Sequence, residues 1–359
     1  MSRIPVTLLT GFLGSGKTTF LNRVLRDERF TRTAIVINEF GDIDLDGLLV
    51  EHRPEQIVET TTGCLCCTLR GDVQDTLIDL FDRRHKGTVL PFERLVIETT
   101  GIADPDPVIY TIMGDIRLAR MYELAGVVTT IDAIHGEQTL RNHVECVQQA
   151  AVADRLLLTK RDLIDNDDAQ ASADALLGCL RKLNPSAPII YSDAINFDVA
   201  RLFDTSLHSP SGRGANVLAW LNSDAYLAKK GKDVPTSHRR KSKKAEDSTE
   251  IKSYCMTFDK PVDFRAFSFT LQLLMGMKGS DLLRFKGIVN VKGHPNRPIV
   301  IHAVQSVVEE PVWLESWPSD DRRTRLVLIG RGIPKTSIQN LFESFQSVEP
   351  TSQLIAQPA

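Results

Sequence analysis

The sequence predicts a doubly wound, mostly parallel α/β domain over residues 1–204 and a smaller α+β domain over residues 251–348. Three observations carry this. Short apolar runs alternate with amphipathic stretches through the first half of the chain, the pattern of strands and crossover helices. Several of those runs are apolar throughout, as strands covered on both faces must be. The alternation fails from about Asp204, and order of a different kind resumes near Ile251.

Taken in order, the strand candidates of the first half are Val6–Thr10, Thr33–Ile37, Gln56–Glu59, Leu95–Glu98, Gly126–Ile131, Arg155–Leu158 and Pro188–Tyr191. A single helix is expected over Glu137–Ala153. Residues 205–250 read as a flexible basic linker, because Lys229–Asp247 is rich in Lys and Arg and poor in apolar residues. Within it, Val217–Leu221 reads as a short helix or strand. Beyond it, Ser253–Phe258, Leu283–Val291, Pro298–Ala303 and Arg325–Ile329 read as strands, with helices over Pro261–Met275 and Ser337–Phe345. A ferredoxin-like arrangement is the expectation there. Residues 349–359 read as a frayed tail.

The composition narrows the function. Of 359 residues, 42% are hydrophobic and 25% charged, the range of an ordinary globular protein. A formal net charge of −3 argues against nucleic-acid binding by overall electrostatics. No apolar run is long enough to cross a bilayer, and Met1–Pro5 leaves no room for a signal peptide. The expectation is a cytoplasmic protein with neither nucleic acid nor membrane as partner. Its six cysteines should then be reduced, so clustered ones read as metal ligands or redox groups.

The chemistry is concentrated where the strands end, the edge at which open parallel sheets bind ligands. Gly11-Phe-Leu-Gly-Ser-Gly-Lys-Thr-Thr19 follows the first strand and opens a helix, the context of a P-loop. Gly11, Gly14 and Gly16 let the backbone close around a phosphate, and the helix start adds its dipole. Lys17 reaches the β- and γ-phosphates and Thr18 holds Mg²⁺, with Ser15 and Thr19 completing the loop. Glu98-Thr-Thr-Gly101 supplies the acid such a site needs for Mg²⁺ and a glycine whose N–H can meet the γ-phosphate. Thr159-Lys-Arg-Asp162 reads the base. A buried Asp162 carboxylate can accept from guanine N1–H and N2–H₂, and adenine offers no such pair. The stem of Lys160 can cover the ring, and Thr159 stands where many GTPases have Asn. Nothing obvious positions the attacking water, since Ile102 rather than Gln follows Gly101. Glu39 or Asp42, after the second strand, could orient it, and slow intrinsic hydrolysis is expected.

Cys64-Leu-Cys66-Cys67 is the unusual element. Thiolates favour Zn²⁺, Co²⁺ or Cu⁺ over Mg²⁺. One short motif supplies two or three ligands, leaving Glu39, Asp42 or an external group to complete the shell. A redox dithiol and a trio of buried structural cysteines are the other readings. Cys146, Cys179 and Cys255 read as core residues and His302 as structural. His143 and Cys146 fall three apart on the expected helix, where packing is the simpler explanation. His135 lies nearer the site edge. Trp313 and Trp317 read as a cap on the C-terminal core.

In this order the motifs resemble the CobW family of P-loop GTPases. The matching stretches are TGFLGSGKTTFLN, INEFGDID, GCLCCTLRGD, VIETTGIADP and LLTKRDL, with a looser match at Arg284-Phe-Lys-Gly287 and His302-Ala-Val-Gln305. The resemblance implies a GTPase cycle coupled to binding a transition metal, Zn²⁺ or Co²⁺, and delivering it to a client metalloprotein. Metal would sit on Cys64, Cys66 and Cys67, and the nucleotide on Gly11–Thr19, Glu98 and Thr159–Asp162. Many relatives carry a His-rich stretch, whereas the linker here has only His208 and His238. Two other readings remain at this stage: a nucleotide-driven kinase with a structural cysteine cluster, and a regulatory GTP-binding module that carries no metal.

Overall fold

The structure, a computed structural model, describes residues 3–38, 57–59, 69–203, 217, 221, 251–279 and 281–346. Its first sheet contains β1 (Ile4–Gly11), β2 (Thr33–Asn38), β3 (Ile57–Glu59), β4 (Arg94–Thr99), β5 (Tyr122–Asp132), β6 (Arg155–Thr159) and β7 (Ile189–Tyr191). The spatial order is β3-β2-β4-β1-β5-β6-β7, with every pairing parallel. The crossovers include α1 (Lys17–Arg26), α2 (Leu69–Lys86), α3 (Asp106–Gly114), α4 (Leu118–Met121), α5 (Gly136–Asn142), α6 (Val144–Val152) and α7 (Asp167–Leu183). Both faces of the central strands are covered. Leu8 packs with Val73, Leu77, Val108 and Ile112 of α2 and α3, while its neighbour Leu9 packs with Phe20, Leu21 and Val24 of α1. That two-sided burial explains why β1 reads as an unbroken apolar run.

The expected helix over Glu137–Ala153 is two. His143 is extended (φ −127°, ψ 116°) and separates α5 from α6. Its ring lies 4.5 Å from that of Phe12 in the P-loop, so a tertiary contact holds the break that no Pro or Gly announces. His143 and Cys146 therefore do not share a helix face. Cys146 is buried, and burial pushes its thiol up to about 12, unsuited to ligation near neutral pH.

The second sheet contains β8 (Ile251–Phe258), β9 (Leu282–Val289), β10 (Ile299–Val304), β11 (Val307–Val308), β12 (Val312–Trp313) and β13 (Thr324–Arg331). Its order is β11-β10-β9-β13-β8, with β12 beside β10 and all pairings antiparallel. Helix α8 (Phe264–Lys278) joins β8 to β9, and α9 (Lys335–Gln346) follows β13. β8–α8–β9 is a split βαβ unit, but the strand between is the last of the sheet, β13, where the expected ferredoxin-like arrangement would place the next in sequence, β10. The second crossover differs: β11, β12 and loop, not a helix, join β10 to β13. Asp263 caps α8 through the Arg265 and Ala266 N–H groups, which starts that helix later than the expected Pro261.

Side-chain alternation assigns the faces of this sheet. Phe285, Val289, Ile301, Ala303, Leu326 and Leu328 pack on α8 and α9. On the opposite face, Ile288, Val300 and Val327 cover Val217 and Leu221, two helical residues inside the stretch read as linker. The same face turns Arg284, Lys286 and His302 toward the first domain, all nearly fully buried. There the Asp154 carboxylate lies 2.9 Å from Lys286 and also pairs with Arg284, whose guanidinium donates to the Val152 carbonyl. Burial alone would raise the pKa of Asp154. The charges of Arg284 and Lys286 outweigh it and hold the carboxyl far below the usual range. His302 is structural, as expected, and bonds Glu309 at 3.1 Å.

Candidate functional site

Strand β1 lies between β4 and β5, so the loop that leaves it is bracketed by the ends of both. Gly11, Gly14 and Gly16 have φ of 144°, 70° and 94°, the region that favours glycine. At Gly11 a Cβ would fall 2.2 Å from Thr130 Oγ1, so close approach as well as backbone conformation excludes other residues. Gly16 caps α1, and no side chain takes the first-turn N–H groups. Those donors and the loop amides suit an anion. The Lys17 ammonium, 8% exposed, donates to the carbonyls of Gly11 (2.9 Å) and Phe12 (3.3 Å), which folds it over the loop. Thr18 is half-buried and Thr19 exposed, in the first turn of α1.

Hydroxyl groups stitch the loop to the strands beneath it. Ser15 Oγ lies 2.6 Å from Thr130 Oγ1, and Thr99 donates to Thr10 Oγ1 at 2.8 Å. Thr159 donates to the Ser15 carbonyl at 2.8 Å and lies 3.1 Å from the Ile131 carbonyl. The residue that departs from the commoner Asn thus ties the base-side strand β6 to the P-loop.

Glu98 is the penultimate residue of β4, in register with Leu9 of β1 and Ile37 of β2, and is 3% exposed. Gly101 follows in direct contact with the P-loop; a Cβ on it would meet Leu13 N at 2.6 Å. Gln149 of α6, fully buried, holds this segment from below. Its Nε2 donates to the carbonyls of Gly101 (3.3 Å) and Ala103 (3.0 Å). The Thr18 hydroxyl and Glu98 carboxylate are oxygen donors, the set Mg²⁺ takes beside a phosphate.

On the base side, Lys160 adopts φ 60° and its Nζ donates to Asp132 Oδ2 at 2.8 Å. Burial works against a charged Asp132, but the Lys160 bond and the N–H groups of His135 and Ile134 together keep its pKa below the ordinary value. Asp162 is exposed, in the 3-10 turn Arg161–Leu163, rather than buried as the base-reading argument assumed. Two groups here escaped the sequence reading. Asp132 fixes the lysine of the T-K-x-D motif, and the Ser192–Ala194 loop closes the edge after β7. Ser192 N–H donates to the Leu158 carbonyl at 3.0 Å, and Arg161 lies over the Tyr191 ring at 4.2 Å. The signal for both was position, since each follows a strand of the parallel sheet at its carboxyl end.

Glu39, Asp42, Cys64, Cys66 and Cys67 lie outside the described residues. The strands before them, β2 and β3, end on the same edge as β1 and β4. Among the described residues no group of three His, Cys, Asp or Glu could hold a metal ion. His135, an exposed residue, pairs with Asp132 at 3.3 Å. No helix among the described residues is long and apolar enough to cross a membrane.

Comparison with known proteins agrees with this geometry. The model for the CobW/HypB/UreG nucleotide-binding domain matches residues 5–191, and that for the cobalamin synthesis protein CobW C-terminal domain matches residues 251–346. The zinc chaperone YjiA of Escherichia coli is 32% identical over 342 residues, which span 95% of this chain and 98% of that one. The zinc chaperone CobW of a Sinorhizobium species is 28% identical, over 91% of this chain and 93% of its own. The crystal structure of the Zn(II)-bound E. coli YjiA GTPase superposes with a TM-score of 0.67, at 28% identity, over 97% of this chain and 100% of that chain.

Proposed function

The chain belongs to the CobW/HypB/UreG family, as a P-loop GTPase with a CobW C-terminal domain, and we propose that it is a metallochaperone. In this reading Cys64, Cys66 and Cys67 take Zn²⁺ or Co²⁺ as cargo, with Glu39 or Asp42 completing the shell. The nucleotide state sets how tightly the cargo is held and when a client metalloprotein receives it. The observation that carries the reading is convergence. The Gly11–Thr19 loop, Glu98–Gly101 and Thr159–Asp162 meet at the sheet edge where β2 and β3, the strands leading to the acids and the thiols, also end. The relatives named as zinc chaperones support the same assignment.

Within the site, Lys17 and the first-turn amides of α1 neutralise and orient the phosphates. Thr18 and Glu98 would hold Mg²⁺, which would supply positive charge beside the phosphates. Gly101 N–H meets the γ-phosphate, while Asp162 accepts from guanine and Lys160, aligned by Asp132, covers the ring. Glu39 or Asp42 orients water. Without a glutamine after Gly101, slow turnover is expected of the isolated chain.

Metal titration of the reduced protein tests this, with no nucleotide, with GDP·Mg²⁺ and with a non-hydrolysable GTP analogue. Metal affinity is expected to change about 5- to 150-fold with nucleotide, and GTP affinity by the same factor with metal. Cys66→Ala should abolish both effects and leave nucleotide binding intact. Equal metal affinity in all three states would end the proposal. The nucleotide dependence matters more than uptake alone. A YjiA variant with one glutamate and two cysteines changed to alanine is also Zn(II)-bound, so zinc uptake by itself is a weak readout.

A further inference from the structure

The loop from Gly101 to Pro105 is held at three places. Its leading end is β4, locked between β1 and β2. Its middle is held by Gln149, whose Oε1 has no partner among the described residues. Its trailing end is Asp106, the first residue of α3, and that residue is held from the other domain.

Gln305 sits in the two-residue turn between β10 and β11, and its Nε2 donates to Asp106 Oδ2. Turns of this length favour Gly or Asn where φ is positive. Gln305 has φ 51°, so a residue poorly suited to the backbone occupies the apex that touches the other domain. Asp106 is 3% exposed and its N–H donates to Asp104 Oδ1 at 3.0 Å, while its own Oδ1 has no partner among the described residues. Burial, and then the charge of Asp104, pushes its carboxyl up to about 8. The Gln305 bond, beside the Asp104 side chain and the charge of Arg331, is the contact from the turn that fixes this side chain. Helix α3 packs on both β10 and β11, so the contact belongs to a continuous interface.

We propose that Gln305 is a positioning residue for GTP hydrolysis. By fixing Asp106 it fixes the trailing end of the Gly101–Pro105 loop, and the C-terminal domain thereby sets where the Gly101 N–H meets the γ-phosphate. The inference rests on the reading of Gly101 as the γ-phosphate contact. It also gives the His302-Ala-Val-Gln305 motif a task that strand packing does not.

Gln305→Gly in the full-length protein tests it. Glycine accepts φ 51° without strain, so the variant should keep or gain thermal stability while losing the contact. The kcat for GTP is expected to fall about 10- to 100-fold. GDP affinity should stay within about twofold, and Asp106→Ala added to Gln305→Gly should cost no more than either change alone. A purely local role in the turn predicts a raised melting temperature with unchanged kcat, and that outcome overturns the proposal. Gly101→Ala is measured alongside. If it alone impairs hydrolysis, only the role of Gln305 falls; if neither variant does, the γ-phosphate role of Gly101 falls with it.

Discussion

Asp154→Asn is expected to lower the stability of the folded chain by about 3–5 kcal/mol, read as a lower urea midpoint. The reason is asymmetry. A buried ion cluster adds little over a well-packed apolar one, yet removing one partner strands the rest. Here Arg284 and Lys286, both about 1% exposed, share the single carboxylate of Asp154, whose other oxygen accepts Val127 N–H at 2.9 Å. An amide in its place cannot offset two cations. The pH dependence follows from the direction of the shift. The carboxyl is held below the 3.8 of an unfolded chain, so its stabilisation is complete above that value and is lost as pH falls through the folded-state pKa. The variant should therefore show a shallower acid limb. Glu93, whose pair with Arg32 at 2.6 Å is open to solvent, is the control, and its alanine variant should lose no more than about 1 kcal/mol.

The second large effect is catalytic. Gly101→Ala is expected to reduce kcat for GTP about 100- to 1000-fold, the loss seen when a positioned backbone donor is displaced. The added Cβ would fall 2.6 Å from the Leu13 nitrogen and 2.7 Å from its Cα, both backbone atoms that cannot rotate aside. The loop must retreat, and with it the Gly101 N–H that the proposed mechanism aims at the γ-phosphate. GDP lacks that phosphate, so its affinity should change far less. Stopped-flow binding of a fluorescent GDP beside single-turnover hydrolysis separates the two. A matching loss in both would mean that the P-loop, not the γ-phosphate contact, had been damaged.

The sequence made the first sheet legible because its strands are buried on both faces and read as apolar runs, and because glycine spacing identifies the P-loop. What stayed hidden has a common physical cause. Arg284 and Lys286 alternate with Leu283 and Phe285 along β9, a pattern that ordinarily means one face in water. The partner that buries them lies 130 residues earlier in the chain, at Asp154, and no local periodicity reports it. Gln149 was hidden in the same way, as a polar residue in an amphipathic run whose partners are loop carbonyls. The break at His143 depends on Phe12 and not on its neighbours. Asp162 is exposed where burial was expected because the chain leaves β6 directly into the 3-10 turn Arg161–Leu163, which no neighbouring element among the described residues covers.

Strands β9, β10 and β13 of the second sheet are packed on both faces: two helices cover one side, and Val217, Leu221 and the first domain cover the other. Prying the halves apart would uncover Leu283, Val304 and Ile329 and take the Arg284 and Lys286 cations away from the Asp154 carboxylate. Any cargo cycle run by this chain must therefore avoid clamshell opening. In the proposed cycle the moving parts would be the segments along the rim, with this interface kept closed.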